Sequence, residues 1–261
     1  MKNVRRKLLS QNFFHDRRLV AKLVDCSSID RDDLVLEIGP GNGIITRELL
    51  NKAKLVIAVE LDPYWHHRLQ TKFTDNQNLI LYKNDFLTHP LPKLTYKVFA
   101  NIPFAIEGKV IRKLIEADNP PQDCYLVVMS NLAKRLVAEN TNNMFSIMHK
   151  PWFEFSIVHQ FVPTDFSPTP NVSAVLFRFV RKKKEMLSIF NRKKYQSFIK
   201  LGYGHGQAIS ANLKKRFPRV VVDNALQSCS ISKKTKPSHL NVSQWISLYH
   251  QLNCSGLGFI Y

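Results

Sequence analysis

Five short apolar, β-branched runs punctuate the first half of the chain: "LVLEI" (34–38), "LVIAVE" (55–60), "LILY" (79–82), "YKVFAN" (96–101) and "CYLVVM" (124–129). Between them, "TRELLNK", "PYWHHRLQTKF" and "GKVIRKLIEA" repeat their apolar residues at helical spacing. Strands alternating with helices in this order predict an α/β fold built on a parallel, doubly wound sheet. Two further extended runs, "FEFSIVHQF" (153–161) and "AVLFRFV" (174–180), flank the proline-rich "VPTDFSPTPNV" and can close the sheet with an antiparallel pair. After Val180 the strand pattern stops, and "EMLSIFNRKKYQSFIKL" and "AISANLKKRF" predict helices. The change of period predicts a boundary near 181–187, with a first domain over 1–180 and a small all-α C-terminal domain over 181–261. Residues 1–11 read as a basic, flexible arm, and the tail "CSGLGFIY" is expected to be poorly ordered.

Charge sharpens this division. The chain of 261 residues carries a formal net charge of +18. Residues 181–261 hold 15 Lys and Arg against 2 acids, net +13, in clusters such as "RKKK" (181–184), "NRKK" (191–194), "KKRFPR" (214–219) and "KKTK" (233–236). Scattered charge keeps a surface solvated, but clustering on this scale points to a polyanion partner. An acidic membrane would be the rival partner, yet no amphipathic or lipidated anchor is evident. No apolar run reaches 18 residues, and the N-terminus lacks a signal-peptide core, so a soluble, unexported, cytoplasmic protein without membrane association is expected. Cys26, Cys124, Cys229 and Cys254 are scattered without CxxC or zinc-ligand spacing, which suggests reduced thiols and no metal site.

The candidate chemistry sits at the strand ends. In "LVLEIGPGNGIIT", Gly39, Gly41 and Gly43 follow the first strand directly, where a tight strand-to-helix turn can bring backbone against a ligand. Glu60 closes the second strand, where an acid can accept both hydrogens of a ribose diol, and Asp85 follows the third, where it can meet an adenine amine. Such an edge suits an adenosine-containing cofactor, and a nicotinamide dinucleotide fits these three positions equally well.

The fourth strand end separates the two. "VFANIPF" runs from an apolar strand into an amide, a proline and an aromatic. An adenine amine is a weak nucleophile because its lone pair is delocalised into the ring, so attack on a methyl group needs acceptors for its two hydrogens. Asn101 offers a side-chain carbonyl, and Pro103 pushes Ile102 into an extended conformation that can aim its backbone carbonyl into the same space. Phe104 offers a ring face for a base to stack on. No metal, histidine or acid is required, since positioning beside a sulfonium methyl can supply much of the rate. The plainer alternative is a strand ending in an Asn-stabilised turn with Phe104 in the core.

Taken together, "SQNFF", "LVLEIGPGNGIIT", "AVELD", "NDFL", "YKVFANIPF" and "PNVSAVL" resemble, in order and spacing, the rRNA adenine N6-methyltransferases that use S-adenosylmethionine. Within them the chain resembles the erythromycin-resistance group that methylates 23S rRNA. The resemblance covers roughly residues 10–180 and implies a Rossmann-like, S-adenosylmethionine-dependent methyltransferase sheet as the catalytic domain, with 181–261 binding RNA. It further implies that Asn12 and Phe14 line the cofactor pocket, and that Gly39 and Gly41 contact the cofactor's amino-acid end. Glu60 is implied to hold the ribose, Asp85 the adenine, and Asn101 both cofactor and target amine, while Phe104 matches the aromatic that stacks the flipped base. The family often has Tyr at the Phe104 position. Relatives also often carry arginines where this chain has Gly204, His205, Gly206 and Gln207, and His205 reads as a surface histidine.

By this resemblance the expected partner is 23S rRNA, naked or in a precursor large subunit, acted on by a monomer, and the consequence is macrolide, lincosamide and streptogramin B resistance. Two alternatives stand beside it. One is the related class that dimethylates adjacent adenines near the end of small-subunit rRNA; "NIPF" rather than "NLPY" and the short C-terminal domain lean against it. The other is a non-catalytic nucleic-acid-binding relative, which would be marked by lost cofactor-site residues.

Overall fold

A parallel sheet covered on both faces calls for largely apolar strands, and the central runs are so, with Glu37, Lys97 and Asp123 among the buried charged exceptions. A computed structural model describes residues 12–139, 142–204 and 208–254. The N-terminal arm 1–11, His205 to Gln207 and the tail beyond 254 lie outside the described residues. The strands are β1 (Phe13–Phe14), β2 (Leu34–Ile38), β3 (Leu55–Glu60), β4 (Leu79–Lys83), β5 (Lys97–Asn101), β6 (Asp123–Met129), β7 (Phe153–Gln160), β8 (Phe166–Ser167) and β9 (Ala174–Arg181). Seven form one sheet in the order β4-β3-β2-β5-β6-β9-β7. The first five run parallel and β9 lies antiparallel to β6. β1 and β8 form a separate antiparallel pair, with Phe14 opposite Phe166.

Helix α1 (Arg17–Asp25) precedes the first parallel strand, and α2 (Ile44–Lys52), α3 (Pro63–Lys72) and α4 (Glu107–Glu116) lie between the parallel strands. Asp16 and Asp62 cap α1 and α3, each accepting from the backbone N–H two residues on, and Pro63 opens α3 where its missing N–H costs nothing. Val35, Leu36, Val56, Val98, Ala100 and Leu126 are fully buried in the sheet. Two of its buried charges are matched by a partner: Lys97 pairs with Asp33 at 2.6 Å, and Arg178 of β9 grips Asp123 of β6 through Nε at 2.9 Å and Nη2 at 2.6 Å. An uncompensated buried charge would be strongly destabilising, so these pairs help fix the register of the central and antiparallel strands.

The remaining helices are α5 (Ser130–Val137), α6 (Met144–His149), α7 (Arg192–Tyr203), α8 (Ile209–Leu213), α9 (Arg219–Ser228) and α10 (Val242–Cys254). The chain divides into two compact units: Met1–Ala133 with Ser156–Arg181, and Lys134–Phe155 with Lys182–Tyr261. The second unit therefore draws in a segment from the middle of the chain, which a boundary at 180/181 does not include. Its core is aromatic, with Tyr195, Phe198, Trp245 and Tyr249 buried around one another. Tyr195 reaches back to the carbonyl of Ile147, and Asn142 collects bonds from Lys150 Nζ at 2.7 Å and, at its backbone carbonyl, from the Tyr203 hydroxyl at 2.8 Å. Two helical expectations are corrected here. The run from Glu185 begins its α-helix only at Arg192, after a short 3-10 turn at Ile189–Asn191, and the run from Ala208 is helical only over Ile209–Leu213. Periodicity marks a buried face and not the residue at which the backbone starts to coil.

Candidate cofactor pocket and catalytic site

Because β2, β3, β4 and β5 are parallel, their carboxyl ends share one edge, and the strand order reverses beside β2. Such a switch point leaves a crevice where connections depart in opposite directions. The pocket there is lined by Asn12, Phe14, Gly39, Glu60, Asp85, Asn101 and Phe104. Of the residues expected to touch the cofactor or the target base, Gly41 is absent from its wall, as is Gly43 of the same turn.

Gly41 instead serves the turn. Its φ is +54°, and a Cβ there would sit 2.4 Å from the ring of Phe13, so both the conformation and the space demand glycine. Gly39, with φ +64°, has open space where its Cβ would lie, which leaves room for a ligand against the backbone. Glu60 ties the turn to the end of β3: Oε2 accepts from the Gly41 N–H at 2.9 Å and Oε1 from the Asp62 N–H at 2.8 Å. The residue is 3% exposed, and burial pushes its carboxyl above the usual carboxylate range against the pull of those two N–H groups. Each oxygen keeps a further lone pair, so the carboxylate can hold the turn and still accept from a diol.

Asn101 ends β5 and donates through Nδ2 to the backbone carbonyl of Asn12 at 2.7 Å. Ile102 is buried, Pro103 is extended with φ −60° and ψ 129°, and Phe104 opens a 3-10 turn. Phe104 is partly buried, packs against the core cluster and also lines the pocket. Phe14 is 2% exposed and stacks on Phe166 at 4.7 Å, making it a fixed wall of the pocket.

Two residues with parts in this site escaped sequence reasoning. Phe13 covers Gly41 and packs on Trp65 at 5.2 Å, and the doublet "FF" was its only sequence signal. Lys113 of α4 donates to the carbonyls of Phe86, Leu87 and His89 at 2.6, 3.1 and 2.5 Å, which fixes the loop that carries Asp85. Asp85 meanwhile spends Oδ1 on the N–H of Leu87 at 2.8 Å, leaving Oδ2 for another donor. The partners of Lys113 lie 24 to 27 positions away, and nothing in a lysine on a helix reports them.

The pocket's charge is opposite to that of the chain. Glu60, Asp62 and Asp85 line it and no Lys or Arg does, in a protein of net charge +18. A pyrophosphate would meet only repulsion from these acids, whereas a cationic sulfonium nucleoside gains from them. The donor set therefore fits S-adenosylmethionine and disfavours a nicotinamide dinucleotide. Among the described residues no cluster of three or more His, Cys, Asp or Glu could hold a metal, and no helix is long and apolar enough to cross a membrane.

The chain is similar to known proteins along nearly its whole length. An rRNA adenine N-6-methyltransferase of Saccharopolyspora erythraea is 27% identical over 249 residues, covering 95% of this chain and 65% of that protein, so the chain spans about two thirds of the relative's length. The ribosomal RNA small subunit methyltransferase A of Acaryochloris marina is 30% identical over 260 residues, covering 93% of this chain and 95% of the relative. The crystal structure of the 23S rRNA methyltransferase ErmE superposes with a TM-score of 0.83 at 27% identity, covering 93% of this chain and all of that one. Residues 2–253 match the family model described as ribosomal RNA adenine dimethylase, enzymes whose methyl donor is S-adenosylmethionine. With the sheet order, the acid-lined pocket and a match along nearly its whole length, the chain belongs to the ribosomal RNA adenine dimethylase family.

Proposed function

We propose that this protein transfers a methyl group to the N6 amine of one adenine in 23S rRNA, and that the modified base obstructs macrolide, lincosamide and streptogramin B binding. The observation that carries the methyl-transfer reading is the tethered amide of Asn101 at the edge of an acid-lined, cation-free pocket. S-adenosylmethionine, when bound, supplies an electrophilic sulfonium methyl. Gly39 would contact its amino-acid end, Asn12 and Phe14 would line the pocket around it, Glu60 would hold the ribose and Asp85 the adenine amine. Asn101 Oδ1 and the Ile102 carbonyl accept the two hydrogens of the target amine, so that its lone pair can leave conjugation with the ring. Phe104 stacks the flipped base, which offsets part of the few kcal/mol needed to unstack it.

The 23S reading is supported by the likeness to ErmE and by Asn101-Ile102-Pro103-Phe104. The similarity to the small-subunit enzyme of Acaryochloris marina favours a second reading, dimethylation of 16S rRNA. Incubation with labelled S-adenosylmethionine and separated 23S and 16S rRNA, followed by primer extension, tests both. Label confined to one adenine of 23S rRNA is the expected result; label in 16S rRNA establishes the second reading, and label in neither overturns both.

A further inference from the structure

Beside the acid-lined pocket lies a second cleft of opposite sign, and the two share Phe13, Phe14, Asn42 and Ile44 as a common wall. Its charged lining is cationic: Arg17 opens α1, Arg47 stands one turn into α2, and Lys72 ends α3, with His15 at the rim. Three helices thus deliver three basic side chains to one cavity. Among the described residues the only ion pair made by these three groups is Arg17 to Glu48, at 2.7 Å. Lys72 turns its ammonium to the carbonyl of Asn42 at 2.8 Å, and His15 Nε2 meets the carbonyl of Thr164 at 2.6 Å. Crowding is real: burial and the neighbouring guanidiniums of Arg47, Arg68 and Arg17 all pull the Lys72 ammonium below its usual range, with Glu37 alone opposing them. Like charges gathered at a concave surface repel one another, and a bound anion would relieve that repulsion.

We infer that this cleft is a phosphate-binding subsite for the RNA backbone, separate from the cofactor pocket and from the C-terminal basic clusters. The inference rests on the rRNA reading above. A cationic methyl donor on one side of Phe13 and a phosphodiester on the other would each sit in a field of the favourable sign. The competing anion is the carboxylate at the amino-acid end of S-adenosylmethionine, and the two sources are separable by experiment.

The test uses full-length protein, an rRNA fragment that wild type binds, and the variants Arg47→Gln and Arg47→Gln/Lys72→Gln. Thermal melts confirm folding, calorimetry gives affinity for S-adenosylmethionine, and RNA affinity is read over a salt series. The expected result is that log affinity against log salt flattens by roughly 0.7 to 0.9 for each phosphate contact removed, with cofactor affinity unchanged. Variants that match wild type in both measurements overturn the subsite. Weakened cofactor binding with an unchanged salt slope also overturns it and assigns the cleft to the cofactor's carboxylate. If wild type binds no rRNA at all, it is the rRNA reading that fails, a result that cannot be confused with the other two.

Discussion

The side-chain amide of Asn101 is held to the backbone carbonyl of Asn12 at 2.7 Å, across 89 positions of sequence. A carbonyl oxygen can only accept, so the atom facing it must be Nδ2, and Oδ1 is turned away from it. The orientation of the amide is therefore set by the segment before β1, so that in the proposed reaction Oδ1 would be preorganised as an acceptor before substrate arrives.

Asn101→Ala should lower turnover by on the order of 10² to 10³, the cost of losing one preorganised hydrogen-bonding group, while RNA affinity stays near wild type. Asn101→Asp should be no better, since a carboxylate oxygen would face the Asn12 carbonyl. Single-turnover methylation beside RNA binding checks both, and wild-type turnover in either variant removes Asn101 from the mechanism.

Glu60→Gln should weaken binding of S-adenosylmethionine by about 1 to 3 kcal/mol and also lower the melting temperature. The carboxylate accepts from Gly41 and Asp62 together, and an amide offers only one oxygen for those two N–H groups. Calorimetry with a thermal melt is the measurement; intact cofactor affinity would count against the pocket as drawn.

Lys113→Met should weaken cofactor binding by about 1 to 3 kcal/mol through the loop it fixes, because the carbonyls of Phe86, Leu87 and His89 lose a common donor. Since the Lys113 ammonium is bonded to that loop, the loss should fall on KM for the cofactor rather than on kcat or RNA affinity. A variant that lost kcat alone would contradict a positioning role.

Phe104→Tyr should keep most activity, whereas Phe104→Ala should lose a stacking contribution of about 1 to 3 kcal/mol at the target base. The ring is only partly buried, so the Ala variant should also lose about 1 to 2 kcal/mol of stability, less than a full core phenylalanine. Melts and methylation run together decide the case: a loss of stability in both variants, with matching loss of activity, would assign the ring wholly to the core.

Glu37 should contribute stability that falls as pH rises between about 4.5 and 8. Burial pushes its carboxyl from 4.5 up to about 8, with Thr46 opposing. In that interval the folded protein holds a proton that the unfolded chain has released, so the fold is favoured at the lower pH and loses the contribution as pH rises through the folded value. Glu37→Gln, neutral at every pH, should flatten the dependence. Denaturant melts at pH 5 and pH 8 test this, and an unchanged slope in the variant would refute it.

The central strands of the sheet were legible because each is a short, largely apolar run bounded by turn residues, and burial on both faces leaves little choice of side chain. β2 and β3 coincide residue for residue with the runs "LVLEI" and "LVIAVE". Glycines and acids at strand ends were legible for a similar reason, since strand order alone carries Gly39, Glu60, Asp85 and Asn101 to one edge. What the chain determined by itself was thus the local backbone state and, through it, which residues share an edge. The tertiary structure alone decided what each polar atom does there. Gly41 faces Phe13 rather than the pocket, Lys113 secures a loop 24 to 27 positions behind it, and Lys134–Phe155 groups with the C-terminal helices. These are contacts between distant segments, set by the packing of whole elements, and a side chain's type fixes only how many hydrogen bonds it can make, not with whom.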